Sequence, residues 1–409
     1  MLAWSVYNSM KKVRVLFVSH DSSLYGAQLS LLGLLEKLDR SRFEPWVVAH
    51  SEGPLIEAIR SLNIPVTIRP IVHWIASGKA AEKSWFYRSK TLARGLRSRA
   101  WALAHQIELN GIDLVYTNTL TCIEGALAAK MTNRPHICHL REQVRGNSQL
   151  RTVVPEFLLP WVINALSTRV LVNSHYLYRA FAYYPLREKL TVVYNGIDPE
   201  RFDINHEKAS YTLRSELNLP LNSKVVAIIG SIIPRKGQLL FVNAASHLVS
   251  SMPNVAFLVV GEGPPDYVQL VKNRVQEHGL KMNFHFVGSR NDIPKILAGV
   301  DLLVIAADEE PFGRTVIEAM AAGVPVVSTK CGGPEEIILD GITGLLVSTD
   351  NPTEAANAIE RILNDPEFAS NLIKAGKDRL NNLFTLRAYT DNVQSELESV
   401  NQSHHSPST

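Results

Sequence analysis

The 409 residues carry 42 Lys and Arg against 39 Asp and Glu, a net charge of +3, with 46% hydrophobic residues. That balance is ordinary for a globular protein, argues against a highly charged disordered chain, and leaves room for roughly two or three domains. The charge is uneven: residues 1–198 hold 24 basic and 14 acidic side chains, a net +10, and residues 199–409 a net −7. A basic first half is expected to meet an anionic partner such as a membrane surface, a phosphate-bearing acceptor or nucleic acid. Cys122, Cys138 and Cys331 are far apart and form no C-x-x-C, so neither a zinc site nor a disulfide framework is expected. Residues 1–12 hold no long apolar core, and no apolar run approaches the roughly 18 residues of a spanning helix. The expectation is a cytoplasmic protein, soluble or peripheral on the inner face of the membrane.

Residues 13–19 (VRVLFVS) form a β-branched run and 27–38 a helical pattern. The loop between them holds Gly26, placed where a nucleotide-binding α/β domain brings backbone to an anion. A strand at 46–50, a helix at 55–62 closed by Asn63 and a strand at 66–68 follow, an alternation that predicts a doubly wound parallel sheet. The stretch 83–106 interleaves Lys83, Arg88, Lys90, Arg94, Arg97 and Arg99 with Trp85, Phe86, Leu92, Leu96 and Trp101. Read as one helix it is basic and amphipathic, which suits an anionic membrane interface. The other reading is a helix whose apolar stripe packs on the sheet and whose basic face is solvated. Gly95 weakens the helix. A strand at 114–117, a helix at 123–131 and a strand at 136–140 (HICHL) lead to Arg141 and Glu142, and a strand at 170–172 leads to Asn173 and Ser174. The strand at 190–194 ends in Asn195-Gly196, a turn signal where a hinge between two lobes belongs.

The second lobe opens on a strand at 225–230, followed by SIIPRKGQ. A strand at 255–260 runs into Gly261-Glu262-Gly263-Pro264, which is not a G-x-G-x-x-G dinucleotide fingerprint. A strand at 283–287 precedes Gly288 and Arg290, and a short helix spans 292–297. Residues 301–347 then read as strand 302–306, a helix opening near Gly313 and closed by Gly323 and Pro325, and strand 324–328, a parallel βαβ unit. Glu310 lies in its loop and Glu318 on its helix. The N–H groups of Gly313, Arg314 and Thr315 would face outward at the positive end of the helix dipole, which suits a phosphate. From Gly313 to Glu318 the helix advances roughly 7–8 Å, about the separation of a diphosphate from the ribose hydroxyls of the same nucleotide. Glu318 would accept from the ribose, and Glu310 would meet the group on the far phosphate. The same two glutamates also fit dipole-favoured, solvated positions. Helices at 353–363, 368–380 and 386–400 complete the chain, with 401–409 a polar tail expected to be disordered.

The run E-P-F-G-x-x-x-x-E-A-M-A-x-G-x-P-V-V, followed by G-G-P-E-E and D-G-x-T-G-x-L-V, resembles the signature of the family 4 retaining glycosyltransferases. The resemblance implies an α/β chain of two doubly wound Rossmann-like domains facing across a cleft, the glycosyltransferase-B fold. Residues 1–194 would be the acceptor-side domain, 195–385 the nucleotide-sugar domain, and 386–400 a helix crossing back to the first. It implies catalytic roles for Glu310, Lys236, Arg141 and Glu142. Donor contacts would come from Gly26, Ser231, Arg235, Lys236, Gly288 and Arg290, and from Glu310, Phe312, Gly313, Arg314, Thr315 and Glu318. His139 and Asn173 would line the acceptor side. Either Arg141-Glu142 replaces the family's usual His-Asp pair, or His139 takes that role; His139 equally fits a satisfied strand histidine. The chain departs from the pattern twice: Gly26 follows Tyr25 where a second glycine is usual, and Ser231 stands where an arginine is expected. Arg235 or Arg314 would then supply the lost charge.

What the resemblance implies chemically is hexosyl transfer with retention from a UDP- or GDP-sugar to a saccharide or lipid-linked acceptor, in cell-surface polysaccharide or glycolipid biosynthesis. No Asp-x-Asp motif is present, so neither a metal nor another cofactor is expected. The partners would be the sugar nucleotide, the acceptor and an anionic membrane surface at 83–106, with no nucleic acid. A nucleotide-sugar epimerase or phosphorylase-like enzyme on the same scaffold, or a catalytically silent partner subunit, stays open beside it.

Overall fold

The computed structural model describes residues 12–76, 78–144, 147, 150–183 and 185–405. The chain divides into two compact units, Met1–Val193 with Leu386–Thr409, and Tyr194–Thr385. In the first unit, strands β1 (Val13–Ser19), β2 (Phe43–Ala49), β3 (Val66–Ile68), β4 (Leu114–Thr117), β5 (His136–Leu140), β6 (Arg169–Val172) and β7 (Leu190–Val192) form one sheet in the order β3-β2-β1-β4-β5-β6-β7. Every pairing in it is parallel. Helices cover both faces, so β1 is apolar on both: Val15 and Phe17 join one core with Leu31, Leu34 and Tyr116, while Leu16 and Val18 join another with Leu103 and Ile107.

The second unit repeats the plan with β8 (Lys224–Ile229), β9 (Val255–Val260), β10 (Phe284–Phe286), β11 (Leu302–Ile305), β12 (Val326–Thr329) and β13 (Leu345–Val347), in the order β10-β9-β8-β11-β12-β13. In both sheets the order reverses beside the first strand, the place where such folds bring ligands to the carboxyl ends of strands. Between β11 and β12 the helix Arg314–Ala322 is bounded by Gly313 and Gly323, both in the left-handed region. Glycine reaches that conformation without steric penalty.

The helix Leu386–His405 belongs to the first unit. Tyr389, Val393, Leu397 and Val400, spaced four, four and three apart, lie in the same core as β1. Asp39 N–H donates to Gln394 Oε1 at 2.7 Å and Arg169 pairs with Glu396 at 3.1 Å. The helix runs past the expected end at residue 400, so 401–405 are helical and not a loose tail; residues 406–409 lie outside the described residues.

The single basic helix read at 83–106 is two helices, Trp85–Ala93 and Leu96–Leu109. Gly95 sits between them at φ 76°, so a residue that merely weakens a helix ends one here. Leu92 and Leu96 turn inward, as the packing alternative required, while Trp85, Phe86 and Tyr87 stay exposed. Cys122, Cys138 and Cys331 are buried and unpaired.

His136 on β5 is buried and accepts from or donates to Thr117 Oγ1 at 2.8 Å and Leu166 O at 3.0 Å. A carbonyl accepts only, so Nδ1 carries a proton. Burial pushes its pKa down to about 4, opposed by the Leu166 carbonyl. A histidine held below its unfolded pKa contributes stability above pH 6.5 that is lost as pH falls toward 4, on the order of 3 kcal/mol over that window. Urea midpoints should therefore fall between pH 7 and pH 4.5, and His136→Gln should flatten that slope.

Candidate functional site

The loops after β8 and β11 are neighbours because the strands are. Asp308 N–H donates to Arg235 O at 2.9 Å, joining the two loops. Lys236 ends the short 3-10 turn Pro234–Lys236, and Gly237 follows at φ 69°, where a Cβ would collide with the Ala306 carbonyl. That close approach is why the lysine needs a glycine after it. Lys236 Nζ donates to Glu310 Oε2 in an ion pair, the two side chains 26% and 16% exposed.

The backbone of Glu310 is clamped from both sides. Its N–H donates to Cys331 O and its carbonyl accepts from Gly333 N–H, each at 2.8 Å. A Cβ on Gly333 would strike the backbone of Pro311 and Phe312. The second glycine of G-G-P-E-E thus allows two chain segments to touch where the carboxylate is aimed. Phe312 is buried against Tyr194 and Phe384, ring centroids 6.2 and 6.1 Å away. Its side chain is therefore a wedge, which leaves its backbone as the part able to meet a donor. Burial alone would push the Glu310 carboxyl up, but Lys236, Arg235 and the Phe312 N–H hold it below the usual carboxylate range.

Gly313, at φ 95°, caps the next helix, with Arg314 and Thr315 in its first turn. Arg314 Nε donates to Glu318 Oε1 at 2.7 Å. Burial dominates at Glu318 and raises its pKa despite Arg314. Ser231 is exposed, its carbonyl accepting from Gln238 Nε2 at 3.0 Å. Arg235 Nε is buried with no hydrogen-bond partner among the described residues. Gly288, at φ 70°, accepts from Gly261 N–H at 2.8 Å. Arg290 is not part of this group: its guanidinium binds Asp292 Oδ1 at 2.8 Å and also Glu216, on the wall of a groove of about 410 Å³ lined by Lys208 and Lys295. A donor contact from Arg290 would have to compete with these two acids.

In the first unit Gly26 begins the helix Gly26–Lys37. Arg141, expected to be catalytic, is buried at the end of β5. Its Nε donates to Asn118 O at 3.1 Å and its Nη2 to Tyr389 OH at 2.8 Å, so it anchors the terminal helix to the sheet. His139 is fully buried, its Nδ1 2.5 Å from Tyr116 OH and 3.3 Å from Arg141 Nη2. Burial, then Arg141, lowers its pKa well below the ordinary value. His139 thus has the surroundings of a satisfied strand histidine, and Arg141 directs these donors at Asn118 and Tyr389. Glu142 is half-buried. Asn173 is buried, with Oδ1 lacking a hydrogen-bond partner among the described residues. Among those residues, no group of three or more His, Cys, Asp or Glu is arranged to hold a metal ion. Sequence reasoning missed Gly333, Tyr194 and Tyr389; G-G-P-E-E carried a signal for the first, and the two tyrosines had none.

Two family models match in tandem, Glycosyltransferase Family 4 over residues 25–201 and Glycosyl transferases group 1 over residues 210–379. The chain is a family 4 glycosyltransferase. Its fold is the glycosyltransferase-B fold. Over 95% of this glycosyltransferase and 100% of the other chain, it is similar to Anabaena HepE, solved with UDP and glucose, at 25% identity and a TM-score of 0.77. A D-inositol 3-phosphate glycosyltransferase of Corynebacterium glutamicum is 29% identical over 197 residues, 47% of this chain and 46% of that one. The match thus spans about half the length of such curated relatives. An Escherichia coli UDP-Gal:alpha-D-GlcNAc-diphosphoundecaprenol alpha-1,3-galactosyltransferase is 24% identical over 396 residues, 94% of this chain and 96% of its own.

Gly333→Ala should force Pro311-Phe312 away and displace Glu310, costing about 2–4 kcal/mol of stability. A melting point lowered by several degrees would show this, and an unchanged one would contradict the clamp.

Proposed function

We propose that this family 4 glycosyltransferase moves a hexosyl group, with retention and without a metal ion, from a UDP- or GDP-sugar to a saccharide or lipid-linked acceptor. The observation that carries the reading is the Lys236–Glu310 ion pair beside the helix start at Gly313, with Glu318 on that same helix. The likeness to a HepE solved with UDP and glucose supports a nucleotide-sugar donor. The similarity to a transferase acting on a diphosphoundecaprenol-linked sugar supports a lipid-linked acceptor in polysaccharide or glycolipid biosynthesis.

Lys236 is the compact cation that neutralises charge developing on the departing diphosphate, joined by N–H groups at the helix start. Glu310, kept ionised by Lys236, orients the sugar hydroxyls and stabilises positive charge on the ring. Glu318 accepts hydrogen bonds from the ribose. Arg235, with an unpartnered Nε and close enough to Glu310 to lower its pKa, supplies the cation missing at Ser231, because Arg314 is already paired with Glu318. In the first unit, Asn173 Oδ1 awaits a donor such as an acceptor hydroxyl. The reaction takes place on the cytoplasmic side of an anionic membrane.

Incubation with UDP- and GDP-hexoses and a lipid-linked saccharide should release nucleoside diphosphate, and EDTA should leave the rate unchanged. Glu310→Ala and Lys236→Ala should each lower the rate by roughly 10²–10³-fold. Isomerised sugar at constant nucleotide would mark an epimerase, and no turnover of any donor a silent subunit. Arg235→Ala should weaken UDP binding by about tenfold or more, and Arg314→Ala by less; equal binding by both variants and the parent would remove Arg235 from the site.

A further inference from the structure

The exposed tryptophans and phenylalanines of the described residues, Trp85, Phe86, Trp101, Phe157 and Trp161, all belong to the first unit. Four of them come from two segments, the helix Trp85–Ala93 and the turn and helix at Glu156–Leu158 and Leu159–Leu166. Phe86 is 79% exposed, Phe157 72% and Trp161 52%. The two segments are held together. Trp85 Nε1 donates to Val153 O at 2.8 Å, just before Pro155 and the turn. Beneath, Leu92 of the first segment and Leu159 and Ile163 of the second lie in one core cluster. A shallow groove of about 220 Å³, lined by Phe157, Trp161, Phe181 and Tyr183, continues the surface.

The charge beside the rings of the first segment has one sign: residues 83–107 contain six Lys and Arg and no acid, with Glu82 and Glu108 at the ends, while Glu156 lies beside Phe157 in the second segment. Within that basic stretch one cation is prepared for an anion. Arg88 is half-buried, and its Nε and Nη1 are buried atoms with no hydrogen-bond partner among the described residues. A guanidinium with two unpartnered donors matches a phosphate, which these donors meet once the half-buried side chain turns outward. Aromatic side chains around a cationic ridge match the boundary between lipid headgroups and acyl chains, where amphipathic rings are favoured and anionic lipid attracts Lys and Arg. A water-facing surface offers no gain to five exposed aromatic rings.

We propose that this two-segment surface seats the protein on an anionic bilayer: Trp85, Phe86, Tyr87, Phe157 and Trp161 enter the headgroup boundary and the Arg88 guanidinium takes a lipid phosphate. The inference rests on the reading that the protein works at an anionic membrane, and it moves the contact from the stretch 83–106 alone to a surface that includes a segment some seventy residues later. It implies that shallow ring insertion, with charge, sets the affinity.

The test is co-sedimentation of the full chain with vesicles of phosphatidylcholine alone or mixed with phosphatidylglycerol. The parent should bind the mixed vesicles with a blue-shifted tryptophan emission. The double variant Phe157→Ala with Trp161→Ala, which leaves 83–106 untouched, should bind roughly tenfold more weakly. Arg88→Gln should lose much of the preference for phosphatidylglycerol. Nucleotide release with a soluble acceptor and the melting temperature should stay at parental values in both. Failure of the parent to bind would overturn the membrane reading and this inference together. Binding by the double variant equal to the parent's would overturn this inference alone, leaving 83–106 as the contact. Concentration-dependent self-association that the double variant abolishes, without vesicle binding, would assign the surface to a second copy instead.

Discussion

The ion pair between Lys236 and Glu310 is the interaction on which the second unit's chemistry depends. A carboxylate so little exposed would favour its neutral form, because removal from water disfavours the charge. Lys236 reverses that preference, and it does so only because two adjacent parallel strands end side by side and the Arg235 carbonyl is tied to Asp308. The surrounding residues make the geometry rigid: Gly237 and Gly333 allow backbone to approach backbone, and Phe312 fills the space behind. What looks in the sequence like a set of separate motif letters is one assembly around a single charged carboxyl group.

The two glutamates of E-x7-E are driven in opposite directions. Glu310 is held below its ordinary pKa by a lysine, while burial keeps Glu318 above its own against one arginine. Equivalent residues by spacing are therefore unlike by environment. At Glu310 the cation outweighs burial, and at Glu318 burial outweighs the cation. The same logic in the first unit separates Arg141, whose partners are the backbone of Asn118 and the hydroxyl of Tyr389, from a ligand-facing cation.

Strands were the most legible part of the chain, since runs such as VRVLFVS and VAFLVV are buried on both faces and need no partner information to be recognised. The ends of the helix after β11 were legible too, because Gly313 and Gly323 mark them. Residues 83–106 were not: a glycine in a helical pattern is compatible with either a weak helix or a break, and Gly95 became a break through its left-handed conformation. The surroundings of the polar residues after β5 were hidden for a different reason. Arg141 and His139 have the chemistry of a site, but their burial and their link to Tyr389, 248 positions away, are facts of tertiary packing. The ion pairing of Arg290 was hidden in the same way, because Glu216 lies 74 positions before it.

The first unit is discontinuous in sequence, and that has a consequence for how the chain is made. Its core includes Tyr389, Val393 and Leu397, which leave the ribosome only after the whole of the second unit. At about 5–20 residues per second, roughly ten to forty seconds separate Val193 from the closing helix. During that interval the apolar strip that Tyr389, Val393 and Leu397 cover lies open to water, and Arg141 lacks the Tyr389 hydroxyl. The second unit, continuous from Tyr194 to Thr385, has no such delay and can reach its native form first.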